Sequence, residues 1–232
     1  MQTKAQTSAA APKPPELKPV APPEFQSEKI DALGEPELIK IVNDNGSTTF
    51  QKAKACQRLA RVGTKDAVPA MTALLGDPKL STYARNGLQS IADSSADNAL
   101  RNSIPKLKGK LLIGVINSIG YRKDPKAVGV LAPLLSDSDS GVAQASAAAL
   151  GHISGLQAAN TLRSALGRTK GPVQAAVADA CLLCAEGLLK QGEHDQALSL
   201  YNTLTAPEMP KPARLAAMQA IVAAETSLSR PR

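Results

Sequence analysis

Two cysteines with CxxC spacing, Cys181 and Cys184, are the residues whose types and spacing come nearest to chemistry. Such a pair can cycle between dithiol and disulfide, or it can supply half of a tetrahedral zinc site. The residues around them are mostly Ala and Leu, and both thiols fall on the apolar face of a predicted helix. The remaining cysteine, Cys56, is far away in sequence. We therefore interpret the pair as small hydrophobic core residues, and we expect neither a metal site nor a disulfide framework.

The two histidines, His152 and His194, are equally isolated, since neither has a metal-ligating residue three or four positions away. No Ser-His-Asp or Cys-His grouping can be assembled from them without assuming contacts. The glycines Gly109, Gly114 and Gly120 follow no predicted strand, so they do not form a phosphate-binding loop. The sequence thus predicts no catalytic, metal-binding or cofactor-binding residue, and we expect a protein that is not an enzyme and needs no cofactor.

Basic side chains are the other group with a regular spacing. Four of them recur at i, i+4, i+7 and i+11, namely Lys54, Arg58, Arg61 and Lys65. A shorter basic group follows at Lys106, Lys108 and Lys110, and the formal net charge is +7. On a helix, the first four would form a stripe that contacts an acidic partner or phosphate groups. An ordinary solvated helix face has the same appearance, so both interpretations stay open.

Helices must position these side chains, and one segment shows their pattern best. In Val142–Ile153, apolar or small residues recur at helical spacing on one face, and Ala and Gly occupy most other positions. A helix with small residues on several faces can pack closely against more than one neighbour. The preceding segment, Ala127–Leu135, carries a second apolar stripe. The polar stretch Ser136–Gly141 separates the two, which predicts a helical hairpin.

The same hairpin pattern recurs along the chain at intervals of roughly 30–40 residues, which is typical of an α-solenoid. The first-helix pattern begins again at Ala67, Ala158 and Gln196. The second-helix pattern recurs around the anchor residues Leu59, Leu88, Ile116, Leu150, Cys181 and Ile221.

At three segments the pattern resembles a known family. Val142–Ile153 and Ala213–Ile221 resemble the second helix of HEAT repeats, of the short kind found in phycobilin-lyase-like proteins. Asp66–Asp77 resembles the first helix of such a repeat and its exit turn. The resemblance covers about 36–225 and implies an all-α, right-handed solenoid of about six HEAT-like hairpins. Because this fold serves mainly as a scaffold, the resemblance says much more about fold than about function.

The chain divides into a tail and a repeat domain. Residues 1–26 are rich in Pro, Ala and Lys, and Ala9–Pro23 contains six prolines, which favour extended, disordered chain. Residues 27–232 form the predicted HEAT-like domain. Its last predicted helix, about Lys211–Glu225, is apolar and has no evident polar cap. We therefore expect a module of a larger protein, whose next part would cover this end.

Two functions follow from these observations as hypotheses. The first is a non-enzymatic scaffold for protein–protein or inter-domain contact, whose partner is another protein or another domain of the same polypeptide. The alternative is a nucleic-acid-binding module that uses the basic stripe. Aromatic residues make up only 2% of the chain and Trp is absent, which disfavours recognition by base stacking. An enzyme built on the repeat is the weakest hypothesis, because no catalytic group supports it.

The sequence leaves the compartment and the oligomeric state open. We expect no membrane-spanning segment, because no run appears long and apolar enough. No charged start followed by an apolar core marks a signal peptide. A soluble protein that was exported and then lost its signal peptide is compatible with these features.

Overall fold

The computed structural model describes residues 28–228, and every regular element in that range is a helix. The predicted Pro-rich tail lies outside the described residues. Four 3₁₀ turns lie at Lys65–Ala67, Ile104–Lys106, Pro125–Ala127 and Ala132–Ser136. The α-helices are α1 (Glu28–Asp31), α2 (Glu35–Asn43), α3 (Thr49–Val62), α4 (Val68–Ala73), α5 (Ser81–Ser90), α6 (Ser94–Ser103), α7 (Gly109–Arg122), α8 (Val128–Leu131), α9 (Ser140–Ile153), α10 (Gly155–Leu166), α11 (Gly171–Lys190), α12 (His194–Leu204) and α13 (Lys211–Leu228).

These helices form six successive hairpins, which confirms the predicted all-α solenoid. The hairpins are α2–α3, α4–α5, α6–α7, α8–α9, α10–α11 and α12–α13, and the short α1 packs against α3. The second helices α3, α5, α7, α9, α11 and α13 stack in series as one layer. The first helices form the other layer and approach one another less closely. In a curved solenoid the more closely spaced layer lies on the inside, so we infer that the second helices line the inner surface.

Local sequence explains where the helices begin. Thr48 caps α3 by accepting a hydrogen bond from the Gln51 backbone, while the Gln51 side chain accepts one from the Thr48 N–H. This reciprocal capping box satisfies two N–H groups that a helix start leaves unpaired. Asp93 and Asp139 cap α6 and α9 through single hydrogen bonds to the backbone two residues later.

Contacts between successive second helices define the register of the repeat. The Gln89 side-chain nitrogen donates to Ser118 Oγ at 2.8 Å. A β-carbon added to Gly120 would lie 2.9 Å from Ala149 Cα, and one added to Gly151 would lie 2.9 Å from the carbonyl oxygen of Ala180. Each pair begins with a residue 31 positions after the start of the previous pair, at Gln89, Gly120 and Gly151. The central repeats therefore share one 31-residue period.

This register corrects one predicted anchor. Ile119, not Ile116, is equivalent to Leu150, and both are completely buried. By residue type alone, Gly120 resembles a residue that ends a helix. In the structure α7 continues to Arg122, since Gly120 is needed inside the helix for its contact with α9. Lys123 then ends α7 in the left-handed conformation, with φ of 53°.

The segment Ala127–Leu135 also departs from the single helix that its pattern predicts. It divides into the four-residue α8 and the 3₁₀ turn Ala132–Ser136. Pro133 explains the change, because proline has no N–H to donate to the carbonyl four residues earlier. The apolar stripe survives, and Ala127, Leu131 and Leu135 are all buried as predicted.

The membrane prediction needs a correction. Within 28–228, α11 alone is long and apolar enough to cross a bilayer by length and composition, although the sequence analysis expected no such segment. In this fold α11 packs against α9, α10 and α12, and it exposes Asp179, Glu186 and Lys190. Its apolar composition therefore matches a helix with neighbours on several sides.

Candidate interaction surface on the second helices

The common register shows which side chains line the inner surface of the central repeats. In each second helix from α3 to α11, the residues at two positions of the common register are exposed to solvent. The exception is Leu183, which is half-buried. The first position is held by Gln57, Asn86, Asn117, Ala148 and Asp179. The second position, which we call the inner row, is held by Arg61, Ser90, Tyr121, His152 and Leu183. One such residue per repeat gives a ladder of side chains that a single extended ligand can follow.

A groove crosses the inner surface from α7 to α11. It consists of two adjoining depressions of about 400 and 210 Å³, which share Lys123 and His152. Its floor is made of small side chains, because the helices approach closely at Gly120 and Gly151. Tyr121 lines the first depression and is 71% exposed. An exposed aromatic ring beside a shallow, largely apolar floor is typical of a protein-binding surface. We call this feature the inner groove.

Positive charge is concentrated on the second helices of the first four hairpins. Within α3, α5, α7 and α9 there are seven Lys and Arg residues and no Asp or Glu. Two of the seven, Arg85 and Arg122, are engaged inside the fold. Arg61 and Lys110 are exposed. Among the second helices from α3 to α11, carboxylates occur only on α11, as Asp179 and Glu186.

The predicted basic stripe is not a continuous face in the structure. Arg61 is exposed on the inner row, and Lys65 is exposed on the 3₁₀ turn after α3 has ended. Lys54 is half-buried, with its Nζ 6.0 Å from the centroid of the Phe50 ring. Arg58 takes the same register position as Ser118. Ser118 faces the preceding repeat, because it accepts a hydrogen bond from Gln89. Its buried Nε has no hydrogen-bond partner among the described residues. The predicted contact of this stripe with an anion or a partner stays a prediction.

The cysteines lie in the core, as their pattern predicts. Cys56, Cys181 and Cys184 are free thiols with no exposed surface. Burial raises the pKa of Cys56 from 9.0 to about 12, and burial together with nearby Cys184 does the same for Cys181. The pKa of Cys184 is also raised by burial. A thiol that holds its proton so firmly is a poor nucleophile and a poor metal ligand.

The two histidines lie apart. His152 is exposed in the inner groove. His194 begins α12, beside a cleft of about 360 Å³ between α11, α12 and α13 that Tyr201 and Glu186 also line. Burial, followed by the nearby Glu186, raises the pKa of Tyr201. Among residues 28–228, no group of three or more His, Cys, Asp or Glu side chains could hold a metal ion.

A buried arginine joins the third hairpin to the second, and the sequence analysis did not identify it. Arg122 donates from Nη1 to the carbonyl oxygens of Leu88 at 2.9 Å and Gln89 at 3.2 Å, and also to that of Ile91. Its guanidinium also pairs with the carboxylate of Asp97. These contacts satisfy carbonyl groups that the end of α5 leaves free. They therefore fix Tyr121, the preceding residue, relative to the inner surface.

A comparison with family models agrees with this architecture in the middle of the chain. A family model described as HEAT repeats matches residues 108–181. No curated protein sequence matches the chain. An engineered protein is 17% identical over 86% of this chain and 97% of its own, with a TM-score of 0.45. A designed armadillo repeat protein is 15% identical over 82% and 99%, with a TM-score of 0.46.

A natural protein of similar structure is the complex of CpcE and CpcF of phycocyanin lyase from Nostoc sp. PCC7120. It is 15% identical over 95% of this chain and 100% of its own, with a TM-score of 0.44. Similarity at this level carries no information about activity or partners. The family match shows HEAT repeats over 108–181, and the six stacked hairpins make the described part of the chain an all-α solenoid.

Proposed function

We propose that this chain is a non-enzymatic scaffold that binds an extended, acidic segment of a partner protein, or of another domain of the same polypeptide. The inner groove carries this proposal, because Tyr121 stands exposed beside a floor of small side chains. An exposed Tyr at such a place offers a large apolar surface and a hydroxyl at a low entropic cost. No reaction is proposed.

The dimensions of the groove suit an extended ligand. It spans three second helices, and neighbouring helix axes are roughly 8–10 Å apart, so its length is about 20 Å. An extended chain advances about 3.3 Å per residue, so about six residues would fill it. Asn117 and His152 on its walls can hydrogen-bond the backbone of such a segment.

The charge distribution favours an acidic ligand of protein origin. Arg61 and Lys110 extend the inner surface beyond the groove and supply positive charge without neighbouring carboxylates on the same helices. The far end is mixed in charge, because Glu186 and Lys190 both line the groove and Asp179 lies on the same helix. These carboxylates would repel a phosphate backbone that followed the whole surface. A peptide can place acidic residues near α3–α7 and neutral or basic residues near α11.

Fluorescence anisotropy tests the proposal with three labelled probes of equal length. They are a peptide of alternating Glu and Leu, a matched peptide of Gln and Leu, and oligo(dT), each at low and moderate salt. We expect the acidic peptide to bind at least tenfold more tightly than the neutral one. Preference for oligo(dT) would replace the proposal with the nucleic-acid alternative. Equal affinity for the two peptides would show that the positive charges of the inner surface do not contribute to binding.

Variants locate the binding site. Tyr121→Ala should weaken binding of the acidic peptide about tenfold, since an anchor aromatic contributes on the order of 1–2 kcal/mol. The double variant Arg61→Glu, Lys110→Glu should weaken it further and reduce its dependence on salt. Val130→Ala and Lys126→Glu are matched controls, because both side chains are exposed in the first-helix layer. Unchanged binding by Tyr121→Ala would show that the groove is not the site.

A further inference from the structure

The cleft between α11, α12 and α13 lies beyond the inner groove, at the last hairpin of the solenoid. We call it the end cleft. Its volume of about 360 Å³ falls at the small end of the range of small-molecule sites, which is roughly 300–1,000 Å³. Most of its wall is aliphatic, formed by Leu189, Ala220, Ala223 and Ala224. Three side chains with polar groups complete the wall, namely Glu186, His194 and Tyr201.

His194 gives the end cleft a buried polar atom that the protein leaves without a partner. Its Nδ1 atom is buried and has no hydrogen-bond partner among the described residues. A buried polar atom in this state is costly, and a molecule bound in the cleft would supply the missing hydrogen bond. The cleft is thus incomplete as a piece of packing, whereas the cores of the other hairpins are closed by their own side chains.

Tyr201 and Glu186 place two more polar groups in the same cleft. Tyr201 is only 1% exposed, so its side chain is held firmly between the helices. Burial raises the pKa of its hydroxyl, and the charge of Glu186 raises it further, which shows that the carboxylate lies near the hydroxyl. Glu186 itself is exposed, so it can meet a ligand that enters from solvent.

The charge of the end cleft selects the kind of ligand. Glu186 is an acid, and no Lys or Arg is found among the described residues that line the cleft. An organic anion would therefore be repelled, whereas a cation would pair with the carboxylate. The alanines and Leu189 offer no side-chain hydrogen bonds, so the rest of the ligand must be apolar.

We propose that the end cleft binds a small primary amine with an apolar body. The ammonium group pairs with Glu186 and donates its other N–H groups to the Tyr201 hydroxyl oxygen and to Nδ1 of His194. An ammonium group has three donors and no acceptor, so it matches three acceptors in one cleft. Nδ1 accepts when the neutral imidazole carries its proton on Nε2. The apolar body packs against Leu189 and the alanines of α13. This site is independent of the peptide site proposed above.

Three ligands that share a phenyl ring test the chemistry of the end cleft. They are phenethylamine, the neutral 2-phenylethanol and the anionic phenylacetate, each titrated into the ¹⁵N-labelled full chain and followed by NMR. We expect phenethylamine to bind with a Kd on the order of 1 mM, because a ligand of this size makes few contacts. It should bind about tenfold more tightly than 2-phenylethanol, and phenylacetate should bind least. The amides that shift should lie in α11, α12 and α13.

Two results of this titration would overturn the proposal. Equal affinity for phenethylamine and 2-phenylethanol would show that Glu186 does not select a cation. No shift with any of the three ligands at about 10 mM would show that the cleft is not a ligand site, and that a trapped water molecule satisfies His194.

Variants test whether the amine occupies the end cleft. Glu186→Gln should weaken phenethylamine binding about tenfold and leave 2-phenylethanol unchanged. Tyr201→Phe keeps the buried ring and should weaken the amine several-fold. Ala220→Phe should weaken all binding, because the added ring fills the cleft. Glu208→Gln is the matched control, since Glu208 is an exposed carboxylate outside the cleft. An equal loss for Glu208→Gln and Glu186→Gln would reduce the effect to net charge and overturn the proposal.

One more variant separates the end cleft from the inner groove, because Glu186 lines both. Tyr121→Ala changes the inner groove alone, so it should leave phenethylamine binding unchanged while weakening the acidic peptide. Tyr201→Phe should have the opposite effect. If Tyr121→Ala weakened the amine and Tyr201→Phe did not, the amine would lie in the inner groove and the end cleft would not be its site.

Discussion

Gly151 of α9 lies against the backbone of Ala180 in α11 so closely that a single added methyl group would not fit. A β-carbon on Gly151 would lie 2.9 Å from the carbonyl oxygen of Ala180 and 3.0 Å from its Cα. The same relationship joins Gly120 of α7 to Ala149 of α9. Small residues at these positions thus set the distance between successive repeats, and through it the floor of the inner groove.

This contact makes Gly151→Ala destabilising, although Ala normally favours a helix by roughly 0.5–1 kcal/mol over Gly. The new methyl group meets backbone atoms that cannot rotate away, so we expect a loss of about 1–3 kcal/mol in the free energy of unfolding. Gly129→Ala is the matched control, because nothing lies within 4 Å of its added β-carbon. That variant should be neutral or slightly more stable. Urea unfolding measures both, and a stabilised Gly151→Ala variant would contradict this account of the spacing.

Arg122→Ala should lower the free energy of unfolding more than a surface substitution does. It would leave the Asp97 carboxylate and several carbonyl oxygens at the end of α5 without their donor, and the arginine side chain is only 8% exposed. We expect a loss of about 3 kcal/mol. Arg122→Lys should recover little of it, since an ammonium group cannot reproduce the planar fork of donors. Arg163→Ala, on the exposed face of α10, should lie within about 0.5 kcal/mol of the unsubstituted chain by thermal or urea unfolding.

The buried thiols make stability depend on alkaline pH. The pKa values of Cys56 and Cys181 are raised from 9.0 to about 12 in the folded chain, so the folded state holds these protons more tightly than the unfolded state. Their contribution is fully present below pH 9 and is lost as the pH rises from 9 towards 12. The free energy of unfolding should therefore fall over that range. The double variant Cys56→Ala, Cys181→Ala should show a weaker decline, and an equal decline would assign it to other groups.

Ser154 provides a test of stored strain. It forms the one-residue connection between α9 and α10 with φ of 59° and ψ of −166°, a conformation normally reserved for glycine. Its hydroxyl donates to the carbonyl oxygen of Cys184 at 3.0 Å, which ties the turn to α11. Ser154→Ala loses this bond but keeps the strain, whereas Ser154→Gly loses the bond and relieves the strain. We expect the Gly variant to be about 1 kcal/mol more stable than the Ala variant in urea unfolding. The opposite order would show that the turn is not strained.

The hairpins were predictable from sequence because each depends on a local apolar pattern that one helix shows by itself. The buried positions of Cys181 and Cys184 followed from the same pattern. The inner groove was not predictable in this way. Tyr121 follows Gly120, a residue type that often ends a helix, and only the contact with Ala149 shows why that glycine lies within α7.

The basic stripe shows a second limit of local patterns. A regular spacing from Lys54 to Lys65 assumes an uninterrupted helix, but α3 ends at Val62 and Gly63 turns the chain. Which side of α3 faces a neighbouring repeat also depends on contacts with other helices. Arg58 therefore lies at the register position of Ser118, on the side of α3 opposite α5, while Arg61 lies on the inner row. Spacing alone treats the two as equivalent.

Helices α7, α9 and α11 stack closely, whereas a cleft of about 360 Å³ lies beside α13. We therefore expect the last hairpin to unfold locally more easily than the central ones. Each hairpin contacts mainly its neighbours in sequence, so a hairpin at one end can unfold while the others remain folded. Amide hydrogens of α12 and α13 should exchange with solvent faster than those of α9. Hydrogen exchange measured helix by helix would therefore identify which hairpin opens first.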